Sequence, residues 1–273
     1  MKNRVLPIGI QSFEKLWRGG YLYVDKTKLM YQLVCTERPY FLARPRRFGK
    51  SLLVSTMRAY FEGKKELFEG LWIAQEEQRW ETFLVLHIDF SQNGYFTTAE
   101  LQEAFDEWLT EYEEEYGIQR RYDDPATRFR VLIKTAAQQT RKPVVVLVDE
   151  YDKPMLDSLQ GSAGEANRML MRNFYGVLKG CDEYLRFVFL TGVTKFAHIN
   201  IFSELNHLID ISMDDAFSAI CGVTEEELRN TFVPELEALA AKRDEEIWRP
   251  HAAKPICLPK RSDGTLMVAS PEA

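Results

Sequence analysis

The chain has 273 residues, 45% hydrophobic and 28% charged, enough for one large domain or two small ones with an ordinary soluble core. Lys and Arg number 35 against 41 Asp and Glu, a net charge of −6, which argues against a broad nucleic-acid surface but permits local basic patches. No apolar run approaches the roughly 20 residues of a membrane helix, and the first residues lack a signal peptide's apolar core and cleavage site, so a cytoplasmic protein off the membrane is expected.

In chain order, the segment up to about Thr36 mixes aromatic, apolar and charged residues, and Gly20 to Thr27 (GYLYVDKT) reads as a short strand and turn. Arg38 to Arg44 reads as a buried strand. Leu53, Met57, Tyr60 and Phe61 then recur at helical spacing, with Gly63 suited to the helix end. Phe83 to Phe90 is a second buried strand. Thr98 to Tyr116 is an acidic amphipathic helix with the stripe Leu101, Phe105, Trp108 and Tyr112, and Pro125 to Thr140 is a further helix. Pro143 to Val148 (PVVVLV) is the clearest strand. Ala163 to Lys179 is a helix with Ala166, Met169, Leu170, Phe174 and Val177 on one face, and Leu185 to Thr191 is a fourth strand. Thr224 to Lys242 is a last helix, and its Thr224 and Glu227 have the spacing of a capping box. From about Asp244 the tail has scattered prolines and no periodicity, and it is expected to be poorly ordered. Apolar strands alternating with helices indicate a mostly parallel sheet covered on both faces.

The cysteines, Cys35, Cys181, Cys221 and Cys257, form no CxxC pair and read as reduced, mostly buried thiols. No HxxxH or HxH spacing relates the histidines, which argues against a metal cage made of protein ligands.

The chemistry concentrates after the first apolar strand. Arg44-Pro45-Arg46-Arg47-Phe48-Gly49-Lys50-Ser51-Leu52 ends like a phosphate-binding loop, but Arg44 stands where the usual first glycine would be. A helix start offers unpaired N–H groups and the positive end of its dipole to an anion. Lys50 would reach the β- and γ-phosphates, Ser51 would bind Mg²⁺, and Gly49 would allow close backbone approach. Taken alone, the loop reads equally as a solvated basic turn. Asp149 and Glu150 tip the balance, because they end the PVVVLV strand at the edge where open α/β sheets bind ligands. Asp149 would hold Mg²⁺ and Glu150 would activate water. An additional-strand nucleoside triphosphatase also places a γ-phosphate-sensing polar residue on a strand between these motifs. Thr191 is the first candidate for that role, followed by Thr194 and Lys195.

The ordered stretches LPIGIQSFEKL, YLYVDKT, FLARPRRFGKSLL, VVLVDEYDKPML, FVFLTGVTKFAHINIFSELNHLIDIS and CGVTEEEL resemble the bacterial AAA-ATPase-like family from about Leu6 to Leu228. The arginine-rich loop is itself part of the resemblance. It implies a three-layer P-loop NTPase fold of the additional-strand class over residues 1–243, with a mostly parallel sheet. It also implies ATP and Mg²⁺ as ligands, with Walker A and B roles for Lys50, Ser51, Asp149 and Glu150. Family members often carry a C-terminal PD-(D/E)xK nuclease-like domain, for which residues 244–273 show no counterpart; that tail has the look of truncated or out-of-frame sequence.

Such ATPases often take an arginine from a second subunit or domain, so a homo-oligomer or partner domain is conceivable. Arg172 and Arg186 are candidates between which the sequence does not choose. Asp152 is expected to support the loop by pairing with Arg46 or Arg47. Other readings stand beside hydrolysis: a nucleotide-dependent switch with negligible turnover that acts through a partner, or a partner-binding remnant of a longer ATPase–nuclease-like protein, and a nucleic-acid module using the patch from Arg44 to Lys50, which the acidic balance disfavours.

Overall fold

The structure is a computed structural model that describes residues 5–159, 161–194, 208–242 and 265–266, with the backbone alone for 241–242 and 265–266. Its centre is a five-stranded sheet in the order β2-β3-β4-β1-β5. The strands are β1 (Pro39–Ala43), β2 (Val85–Asp89), β3 (Val144–Asp149), β4 (Leu185–Gly192) and β5 (Ile209–Asp210), and every pairing is parallel. The strand that leads into the Gly-Lys-Ser loop, β1, is therefore separated from the acidic strand β3 by an inserted strand, β4. This order defines the additional-strand class of P-loop fold.

Every residue of β3 is buried, as a run of branched apolar residues covered on both faces must be. The period of two along the strand divides the core. Val144, Val146 and Val148 face a layer containing Phe105, Phe129 and Phe174, whose rings stack at 4.2 and 4.4 Å. Val145 and Leu147 face the opposite layer with Phe13, Met57 and Phe61. Each buried Val or Leu contributes about 1.5–3 kcal/mol, so this strand anchors the acidic pair at its end.

One helical layer holds α1 (Phe13–Arg18), α2 (Thr27–Val34), α3 (Lys50–Phe61) and the short α4 (Ile73–Glu76); the other holds α5 (Thr98–Glu115), α6 (Pro125–Thr140), α7 (Lys153–Ser158) and α8 (Gly164–Gly176). α5 begins with a capping box between Thr97 and Glu100. Arg128 of α6, fully buried, clamps α5 by donating to Glu113 at 3.0 and 2.8 Å, to Thr110 at 3.0 Å and to Asp106.

Several expectations need correction. The stretch Gly20 to Thr27 forms only a single bridge, Val5 to Tyr21, before α2 begins. The Asp25 carboxylate accepts from Thr27 N and Oγ1 at 2.8 and 2.7 Å and from Trp72 N at 2.7 Å, which turns the chain into the helix. On α8 the buried face is Asn167, Met171, Phe174 and Tyr175, while Met169 is exposed. Asn167 belongs inside because its amide donates to the Tyr95 carbonyl at 3.2 Å. The last helix is two, α9 (Glu225–Thr231) and α10 (Val233–Lys242), with the Thr224–Glu227 capping box as read. Pro234 has no N–H to continue the ladder and its ring crowds the preceding turn. The cysteines are mostly buried as read, Cys181 and Cys221 within the core and Cys35 exposed, while Cys257 lies outside the described residues. Within the tail, Thr265–Leu266 (β7) pairs antiparallel with Val223–Thr224 (β6), a strand that periodicity does not reveal in so short a segment.

Candidate functional site

Parallel pairing brings the C-terminal ends of the strands to one edge. In register, Asp89 lies beside Asp149, Val148 beside Leu190, and Leu42 beside Thr191. Loop bonds extend these ladders: Arg44 N donates to Gly192 O at 3.1 Å and Tyr151 N donates to Thr191 O at 2.9 Å. The basic loop and the carboxylates thus flank the end of β4.

Gly49 caps α3 in a left-handed conformation, φ 85°, that glycine adopts without penalty. A Cβ there would meet no described atom within 4 Å. Among the described residues no side chain caps α3, and the N–H groups of Lys50, Ser51 and Leu52 precede its first internal bond, from Leu53 N to Gly49 O at 3.0 Å. Lys50 is buried, and among the described residues its ammonium donates only to the Pro45 carbonyl at 3.3 Å. Arg46 and Arg47 are exposed, Arg47 with φ 66°, and neither guanidinium bonds to another described residue. These features suit a polyanion: an open helix N-terminus with three cations on one loop.

Arg44 has a different role. It is buried, and its guanidinium donates to Ser212 O at 2.5 Å, Phe217 O at 3.3 Å and its neighbour Ala43 O at 3.1 Å. Its side chain therefore reaches the segment after β5.

Asp149 is buried, and its Oδ1 accepts from Glu150 N at 3.0 Å and from Thr191 Oγ1. Thr191 thus sits between the two motifs and holds the acidic strand end directly. Glu150 is half-buried in the left-handed region, φ 52°, a conformation that costs a non-glycine residue about 1 kcal/mol. Burial pushes its carboxyl above the usual glutamate range, and repulsion from Asp149 and Asp89 adds to this, while Lys50 and Arg46 oppose it. Asp89 is the acidic residue that sequence reading passed over. Its signal was the same as for Asp149: a carboxylate closing an apolar strand.

Asp152 does not pair with Arg46 or Arg47. Its Oδ2 accepts from Val193 N at 2.9 Å and from Thr194 N and Oγ1 at 2.7 Å each. It therefore orders the turn after β4, where Gly192 is needed because a side chain would strike the Tyr151 ring at 2.5 Å. Thr194 is used in that turn, and Lys195 lies outside the described residues. Arg186 begins β4 at the opposite edge of the sheet and binds the Thr36 and Val34 carbonyls at 3.1 Å each, so it does not reach this site from within its own chain. Arg172 is on an exposed face of α8.

The donor set fits Mg²⁺ held with phosphates: Ser51 Oγ at the helix start and the Asp149 carboxylate across from it. Among the described residues no group of three or more His, Cys, Asp or Glu has metal-holding geometry, so the cation would draw its remaining ligands from phosphate and water.

A model of the AAA-ATPase-like family, described as predicted AAA-ATPase, matches residues 7–202. The chain belongs to this family. A relative from Azotobacter chroococcum mcd 1, described as an uncharacterized protein in the vnfD 5′ region, is 43% identical over 250 residues, covering 90% of this chain and 48% of its own length. The chain spans about half the length of that relative. Among solved structures, a DNA replication initiation factor aligns over 90% of this chain and 58% of its own at 11% identity and a TM-score of 0.34, too distant to bear on function. The matched residues include the arginine-rich loop. No helix among the described residues is long and apolar enough to cross a membrane.

Proposed function

We propose that this AAA-ATPase-like chain binds ATP with Mg²⁺ at the 44–52 loop and hydrolyses it. The observation that carries the reading is the convergence at one sheet edge of an uncapped α3 N-terminus, buried Lys50, and the pair Asp149–Thr191 across β4. No Asn-Lys-x-Asp guanine-reading motif occurs in the sequence, which favours adenine.

Each residue has a role that follows from its position. The N–H groups of Lys50, Ser51 and Leu52 bind phosphate oxygens, and Lys50 exchanges its bond to Pro45 O for the β- and γ-phosphates. Ser51 and Asp149 hold Mg²⁺, which when bound neutralises phosphate charge. Glu150 orients the attacking water and accepts its proton; its raised pKa brings it nearer the operating pH expected of a general base. Thr191 fixes the Asp149 carboxylate. Arg46, whose charge reaches Glu150, adds positive charge to the same space.

Calorimetry with ATP and Mg²⁺ tests the reading. Micromolar binding is expected, weakened about 100-fold or more in Lys50→Ala, while Glu150→Gln binds but releases no phosphate. Failure of the folded wild type to bind would sink it.

A further inference from the structure

The arginine in place of the first loop glycine joins two parts of the molecule that the proposed reaction leaves unconnected. Arg44 donates to Ser212 O and Phe217 O. Ala43 N, one residue earlier, donates to Ser212 Oγ at 2.8 Å. At the other end of the loop, Gly222 N donates to Phe48 O at 2.9 Å. The segment from Ile211 to Gly222 is thus stitched to both ends of the loop, whereas a glycine at position 44 would offer no side-chain bond. The same segment leads directly through β6 into α9. There Glu227 accepts from Lys26, whose buried ammonium lies 2.5 and 2.6 Å from its two carboxylate oxygens. Glu227 Oε2 also accepts from Thr224 N at 2.8 Å, so this ion pair is tied to the cap of α9.

We propose that Arg44 is a positioning residue that couples the phosphate loop to the segment 211–222 and, through it, to the start of α9. Any ligand that fixes the loop then fixes the segment, and linkage requires the reverse: an ordered segment tightens ligand binding by the same factor. The buried side chain takes no part in phosphate contact. The inference rests on the reading of the loop as an ATP site.

Hydrogen exchange on the full chain, with and without Mg²⁺ and a non-hydrolysable ATP analogue, tests it. Saturation at the loop is verified by calorimetry in each sample. In the wild type the analogue should slow exchange of the 211–222 amides about five-fold or more. In Arg44→Gly, which restores the usual loop glycine, analogue at saturation should protect the start of α3 but leave 211–222 unchanged. Its affinity should fall by no more than the factor by which protection was lost. Arg44→Lys keeps the charge but spans only one carbonyl, and should retain a smaller protection; this variant decides the matter if the glycine variant does not fold. Binding without protection of 211–222 in the wild type overturns the coupling and leaves the ATP site intact. Undiminished protection in Arg44→Lys and in any folded Arg44→Gly overturns the role of Arg44. A wild type that does not bind the analogue overturns both proposals.

Discussion

Thr191→Val isolates the bond that joins the inserted strand to the acidic strand end. Valine keeps the shape and volume of threonine, so no cavity opens in a site where Thr191 has no exposure. What is lost is the donation from Thr191 Oγ1 to the Asp149 carboxylate; the remaining bond to Asp149 Oδ1, from Glu150 N at 3.0 Å, stays. Hydrogen bonds to charged groups are worth about 1.5–3 kcal/mol. Part of the loss is offset because valine buries without a polar atom, so a destabilisation of about 2 kcal/mol is expected, which lowers Tm by roughly 4–8 °C in a domain of this size. Thr191→Ser is the control: it keeps the hydroxyl and loses one methyl, at a cost of about 1 kcal/mol. Urea unfolding of the three proteins gives the ranking wild type, Ser, Val. A serine variant less stable than the valine variant would show that packing, not the bond, governs this position, and the argument for Thr191 as the holder of Asp149 would fall. On the proposed reading, Val should lower kcat more than it raises the ATP dissociation constant, because a misoriented Asp149 would hold a cation less well in the transition state.

Two further outcomes follow from buried charge. Arg128→Ala should destabilise the chain by about 3–5 kcal/mol, since it strands buried Glu113 without its cation, whereas Arg128→Met combined with Glu113→Leu should be near neutral; denaturant midpoints check both. Glu150 has a raised folded pKa, first through burial and then through Asp149, so the acid limb of the rate profile should lie above the ordinary glutamate range, the base being inactive once protonated. The same sign applies to stability. The contribution of Glu150 is fully present below its unfolded pKa and is lost as pH rises through the folded one, so Glu150→Gln should gain stability relative to wild type as pH rises through that window, measured by melting at a series of pH values.

Much of this molecule was legible in the order of its residues. The four main strands are short apolar runs bounded by polar turns, and α5 and α6 carry stripes at helical spacing and clear caps, so local pattern placed them to within a few residues. The loop and the acidic pair were readable because their chemistry is contiguous: helix start after strand, carboxylates after strand. The short helices α1, α2, α4 and α7 were not readable. Each has too few residues for a period to register, and each is held by contacts distant in sequence, as Asp25 holds Trp72 N. Asn167 is buried because the Tyr95 carbonyl, 72 residues away in sequence, accepts from its amide.

The sequence alone determined that a Gly-Lys-Ser loop and two carboxylates would lie at the ends of parallel strands, because strand, turn and helix-start propensities are local. Only the tertiary structure decided that β4 enters between β1 and β3, which sets Thr191 against Asp149 and brings in Asp89 from β2. It also decided that Arg44, the residue that most disturbs the loop pattern, turns away from the open helix start toward Ser212 and Phe217. The reason is that a side chain's partner is set by what long-range pairing brings within about 3 Å, and loop closure over more than a hundred residues leaves no local trace in the chain.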